Sequence, residues 1–194
     1  MDQEALIRAY KAAEEALLES QRTDLTYGVR EGAPPIAPWP TEPCKIVFLD
    51  FDGVLNCDVS VRELGTRYMF WPASINALNQ ILAKTAARIV TTSTWREHWT
   101  LAENAVSLEK AGTLAGRVVG KTCSAGGGRG LEIDSWLKSV PYTIESFIIL
   151  DDKDDMAMHR QRLVRVDPRS GLGVEEAQQA IKLLAVPWCR RPSA

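Results

Sequence analysis

The chain has 194 residues, 45% of them hydrophobic, and a formal net charge of −2. That is enough apolar material for one core of domain size, and the near-neutral balance excludes a general polyanion binder while leaving room for a local basic groove. No apolar run approaches the ~20 residues of a membrane span, and the N-terminus is charged and amphipathic rather than a signal peptide, so the expected setting is cytoplasmic with no membrane partner.

In chain order, residues 2–20 carry Leu6, Ile7, Tyr10, Ala13, Leu17 and Leu18 on one side, the pattern of an amphipathic helix. It is expected to pack on the flank of the domain, a dimer contact being the alternative. Pro34, Pro35, Pro38, Pro40 and Pro43 follow too closely for helix or sheet, and Trp39 among them is expected to anchor this connector. Residues 1–44 are thus a helix and connector packing on a body that spans 45–194.

Strands are predicted near 45–50, 87–92, 146–150 and 162–166, with a weaker one near 117–119. Helices are predicted near 73–84, 97–110, 130–139 and 174–186. Pro72 suits a helix start, and Gly112 and Gly171 suit chain reversals. Alternation of this kind is the signature of an α/β fold, a mostly parallel sheet with helices on both faces. Gly126-Gly127-Gly128 lacks the Lys-Ser/Thr ending of a P-loop and reads as a plain loop. Cys44, Cys57, Cys123 and Cys189 are scattered, and neither His98 nor His159 stands at zinc-ligand spacing from any of them. Reduced structural thiols follow.

Four strand or helix ends carry chemistry. The run Ile46-Val47-Phe48-Leu49 ends on Asp50-Phe51-Asp52-Gly53. Two carboxylates at the carboxyl edge of a parallel sheet invite a divalent cation, a covalent nucleophile or both; a solvated turn is the plain alternative. The run Phe147-Ile148-Ile149-Leu150 likewise ends on Asp151-Asp152, which alone could be a charged helix start. Ile89-Val90-Thr91-Thr92-Ser93-Thr94-Trp95-Arg96 ends a strand in hydroxyls and an arginine. Such groups can hold phosphate oxygens, or merely cap a helix. Arg129 opens the helix before the Asp151 strand, with Lys121 competing for the same charge-neutralising task. If the two acid-bearing strands are neighbours, their carboxylates converge, and oxygen-only ligands favour Mg²⁺.

The order Asp50-x-Asp52-Gly53-Val54-Leu55, strand-end Ser93, a cation before a helix, then Asp151-Asp152 resembles the haloacid dehalogenase (HAD) superfamily from residue 45 to about 170. The wording of Ser93-Thr94-Trp95-Arg96-Glu97, Arg129 with Glu132-Ile133, and Trp136-Leu137 resembles the small HAD phosphatase domains of nucleic-acid (RNA) repair and phage-type proteins.

The resemblance implies a Rossmann-like HAD fold and makes residues 45–194 the catalytic domain of a Mg²⁺-dependent phosphatase. Asp50 is then the nucleophile that becomes an aspartyl-phosphate. Asp52 is the general acid and base, a role that calls for partial burial, and it lends its backbone carbonyl to the metal. Asp151 and Asp152 complete the metal set with Asp50. Ser93 binds the transferring phosphoryl group, with Thr92 the close alternative. Arg129 replaces the usual motif lysine, and Arg96 clamps the substrate phosphate. Asp155 is expected to be solvent-exposed, support of the acidic loop being the alternative.

The segment between Asp52 and the helix near 73 has room for a flap but not for a large cap domain. The site is therefore expected to be open, with Tyr68, Phe70 and Trp71 available for stacking on a base or for packing. The implied partner is a phosphorylated substrate, with a nucleic-acid end or nucleotide ahead of a small metabolite. A non-catalytic HAD-like binding module is the rival class, and retention of both Asp50 and Asp52 speaks against it.

Overall fold

The computed structural model describes residue 40, residues 42–124 and residues 127–188. The expected helix over 2–20, Trp39 and most of the proline connector lie outside the described residues. The elements are β1 (Cys44–Leu49), α1 (Asp58–Leu64), α2 (Pro72–Thr85), β2 (Arg88–Thr91), a 3-10 turn (Thr94–Glu97), α3 (Leu101–Lys110), β3 (Val118–Lys121), α4 (Arg129–Ser139), β4 (Ile144–Asp151), a second 3-10 turn (Ala157–Arg162), β5 (Leu163–Arg165) and α5 (Val174–Leu184).

The five strands form one sheet in the order β3-β2-β1-β4-β5, every pairing parallel. The chain lays down β1, β2 and β3 in one direction, then returns to place β4 and β5 on the other side of β1. The strand order therefore reverses between β1 and β4, and open sheets of this kind bind ligands beyond the carboxyl ends at such a reversal. Each central strand is buried on both faces, which is why these segments read as continuous apolar runs.

Side-chain alternation sorts the core into two layers. Val47, Leu49, Ile148 and Leu150 pack with Leu78, Ile81 and Leu82 of α2, Leu108 of α3 and Ala177 and Ala180 of α5. Ile46, Phe48, Phe147 and Ile149 pack on the opposite face with Ile133, Trp136 and Leu137 of α4. The alternation continues past the strand ends. Asp50 and Asp151 fall in step with Phe48 and Ile149, on the α4 face, and α4 begins with Arg129.

Two elements depart from the predicted set. The helix expected over 97–110 divides into the 3-10 turn and α3, because Thr100 and Glu103 form a reciprocal cap: the Glu103 amide donates to Thr100 Oγ1 at 3.2 Å and the Thr100 amide to Glu103 Oε2 at 2.7 Å. The segment after Asp52 folds as the short helix α1, closed by Gly65 in the left-handed region at φ 76°. A loop then leads into α2. Helix and loop make a flap, and among the described residues the fold carries no large cap.

Candidate active site

Register builds the site. Leu49 pairs with Thr91 on one side and Leu150 on the other, so the next residues, Asp50, Thr92 and Asp151, stand side by side at the sheet edge. The Asp50 amide donates to the Leu150 carbonyl at 3.0 Å and the Thr92 amide to the Leu49 carbonyl at 2.8 Å, which locks the three ends together. Asp50, Asp151 and Asp152 each bring a carboxylate oxygen within 4.8 Å of the others.

Arg129 answers this charge from the start of α4. Its Nη2 donates to Asp50 Oδ2 at 3.1 Å, its Nη1 lies 3.4 Å from Asp151 Oδ2, and Nη1 also donates to the Thr92 carbonyl. Asp50 Oδ1 accepts from the Phe51 amide at 2.7 Å. Burial raises the Asp50 pKa, while the Arg129 charge, the Phe51 amide and the Ser93 hydroxyl pull it back. Asp151 is pushed up to about 7 by burial and by the neighbouring Asp50 charge, again against Arg129. Asp151 Oδ1 accepts from the Lys153 amide at 2.9 Å, but its buried Oδ2 accepts no hydrogen bond from the described residues. A buried carboxylate oxygen left in that state, beside two other acid groups, fits a hard divalent cation such as Mg²⁺.

Two glycines permit the close packing of these loops. A Cβ on Gly53, whose φ is 78°, would lie 2.9 Å from the Asp152 side chain, so glycine lets the two acidic loops meet. A Cβ on Gly130 would overlap the Met156 carbonyl, and the Gly130 amide instead donates to the Asp155 carbonyl at 3.1 Å. Asp155 keeps an exposed side chain whose Oδ2 accepts from the Arg129 amide at 3.3 Å.

The remaining candidates separate. Ser93 is fully buried beside Asp50, its hydroxyl also accepting weakly from the Trp95 amide at 3.4 Å. Thr92 contributes its carbonyl to both arginines, whereas its hydroxyl is buried with no hydrogen-bond partner among the described residues. Arg96 is 5% exposed and donates to Glu132 Oε2 at 2.6 Å and to the Thr92 carbonyl. The structure thus turns its guanidinium inward, where the motif had assigned it to a substrate phosphate. Lys121 is occupied too, donating to the carbonyls of Arg96 and Trp99, both at 2.9 Å. Asp52 is exposed rather than partly buried, and its carboxylate stands outside the three-acid cluster.

Sequence reasoning missed the two residues that hold Asp52. Asn56 Nδ2 donates to Asp52 Oδ1 at 2.8 Å, and Trp95 Nε1 donates to Asp52 Oδ2 at 2.9 Å. The only local signal was Asn56 four residues beyond Asp52, a turn-forming amide in an otherwise apolar stretch. The cleft above the sheet edge has a volume of about 310 Å³ and is lined by Asp50, Asp52, Arg129 and Asp152, with Arg67 and Lys153 adding positive charge. Phe70 is buried, so of the three aromatic flap residues it serves packing, while Tyr68 is 71% exposed.

Residues 46–177 match the family model described as the HAD domain in Swiss Army Knife RNA repair proteins. The chain belongs to this HAD family. Membership supports a phosphatase-type hydrolase in general terms, and the acidic cluster of this HAD domain suits that chemistry. No curated protein matches the chain. Among solved structures, the HAD domain is similar to the crystal structure of the Legionella pneumophila effector Ceg4 with an N-terminal TEV protease cleavage sequence. The two share 12% identity at a TM-score of 0.46, over 80% of this chain and 99% of that one, a likeness too slight to add to the fold assignment. No helix among the described residues is long and apolar enough to cross a membrane.

Proposed function

We propose that this HAD domain is a Mg²⁺-dependent phosphomonoesterase that works through an aspartyl-phosphate on Asp50. The observation that carries the reading is the convergence of Asp50, Asp151 and Asp152 within 4.8 Å, with the Arg129 guanidinium against two of them, at the sheet edge where the strand order reverses. Asp50, Asp151 and Asp152, with the Asp52 backbone carbonyl, would hold the cation. When bound, it offsets the mutual repulsion of these carboxylates and of an incoming phosphate.

An Asp50 carboxylate oxygen attacks phosphorus, and the bond from phosphorus to the leaving oxygen breaks. Asp52 gives its proton to that oxygen. Water then attacks the phosphorus of the aspartyl-phosphate, Asp52 takes the water proton, and inorganic phosphate leaves with Asp50 regenerated. Ser93 and Arg129 hold the phosphoryl oxygens in line, and preorganised donors of this kind supply much of the rate in dry sites. The Thr92 hydroxyl is the alternative to Ser93 for this contact. Arg96 acts on the phosphate indirectly, by bracing the loop that carries Ser93.

The substrate is a nucleic-acid end or nucleotide. The open cleft, Arg67 and Lys153 on its wall and the exposed Tyr68 ring support this reading, and so does the RNA-repair description of the family. A cytoplasmic setting is proposed for this domain.

Hydrolysis of p-nitrophenyl phosphate with Mg²⁺, with chelator and in Asp50→Asn tests the chemistry. Activity is expected only for the intact protein with Mg²⁺. Persistence in Asp50→Asn would sink the covalent mechanism, and no turnover of any phosphate ester would favour a binding module. Phosphorylated oligonucleotides are expected to outpace sugar phosphates, and equal rates would remove the preference for nucleic-acid ends.

A further inference from the structure

Both oxygens of the Asp52 carboxylate are held by neutral donors from separate segments, Asn56 Nδ2 at 2.8 Å and Trp95 Nε1 at 2.9 Å. Each donor is itself fixed. Asn56 is 3% exposed, gives a second amide hydrogen to the Arg67 carbonyl at 2.6 Å and accepts from the Gly53 amide at 3.2 Å. The Trp95 ring stacks on Phe70 at 5.7 Å, meets Phe51 edge-on at 5.6 Å and lies 6.0 Å from the exposed Tyr68. Asn56 and Trp95 both reach the flap loop that carries Arg67, Tyr68 and Phe70.

We infer that Asn56 and Trp95 are positioning residues that aim the Asp52 carboxyl at the leaving oxygen, and that the Arg67–Phe70 loop sets where they stand. The inference rests on the reading of Asp52 as general acid. An exposed aspartate rotates freely, whereas a proton donor must come within hydrogen-bond reach of the oxygen it serves, and small misplacements are costly. Two donors on two oxygens remove that freedom. A carboxyl oxygen has more than one acceptor site, so either can keep its donor and still hand a proton outward.

Leaving groups separate this role from a merely structural one. The parameter kcat/KM reports the steps through departure of the leaving group. A p-nitrophenolate departs without a proton and an alkoxide does not. Trp95→Phe keeps an aromatic ring and removes the N–H. Its kcat/KM for an alkyl phosphate is expected to fall about 10-fold further than its value for p-nitrophenyl phosphate. Asp52→Asn should show the same asymmetry at about 10²-fold or more. Equal losses on both substrates in Trp95→Phe, beside a strong asymmetry in Asp52→Asn, would overturn the inference and leave the proposed reaction standing. Absence of asymmetry in Asp52→Asn would remove the acid assignment itself, and the inference with it. Asn56→Ser repeats the measurement should Trp95→Phe fail to fold, with the same expected asymmetry and the same contrary result.

Discussion

Arg96 and Arg129 are both buried and both donate to the Thr92 carbonyl, yet they work on opposite sides of it. Arg129 faces Asp50 and Asp151 and lines the cleft. Arg96 faces Glu132, at 2.6 Å, behind the loop that carries Ser93. A buried guanidinium is therefore no mark of function by itself. What distinguishes the two is whether the paired carboxylate borders the cleft, because only there can the charge act on a ligand.

Removing Arg129 should have the largest effect. Arg129→Ala is expected to lower kcat/KM for p-nitrophenyl phosphate by about 10²–10³-fold, as loss of a preorganised charge donor does. A loss below about 10-fold would break the comparison at its functional side. Arg96→Met should act instead through stability, because it strands the buried Glu132. Chemical denaturation is expected to show a loss of about 3–5 kcal/mol, partly recovered in the double variant Arg96→Met/Glu132→Leu, with kcat/KM per folded molecule falling far less than in Arg129→Ala. If Arg96→Met matched Arg129→Ala in kinetics at unchanged stability, the two arginines would share one job.

The smallest effect concerns pH. Burial and the neighbouring Asp50 charge push the Asp151 pKa up to about 7. The folded state thus holds this proton more tightly than the unfolded chain does. Its stabilising contribution is complete below the ordinary carboxylate range and is lost as pH rises to about 7. In chelator, calorimetry should show the melting temperature falling between about pH 4 and pH 7, less steeply in Asp151→Asn and less steeply with Mg²⁺. An unchanged slope in Asp151→Asn would show that Arg129 alone neutralises the acid.

Local signals carried most of the fold. The apolar runs at 46–49 and 147–150 announced the two central strands because burial on both faces leaves no polar position to blur them. Asp50, Asp151, Asp152 and Arg129 were legible for a related reason: each sits at the end of an element, where side-chain alternation and register dictate its direction. The pairing of Arg96 was hidden because its partner, Glu132, lies on a distant helix, and a sequence window cannot see which neighbour claims a guanidinium. The hold of Trp95 on Asp52 was hidden in the same way, since it needs the β2 loop and the β1 loop side by side. Helix α1 escaped notice because its seven residues are too few for a helical period to emerge.

Gly130 has a consequence for how this site can change. Because no side chain fits between the first turn of α4 and the Met156 carbonyl, the gap between Arg129 and the acidic loop is set by main chain against main chain. Side chains can re-pack around a substitution, but two backbones in contact cannot. The start of α4 and the loop after β4 thus behave as one interchangeable part. A graft between relatives that moved only one of them would lose the spacing of cation and carboxylates without altering a single charged residue.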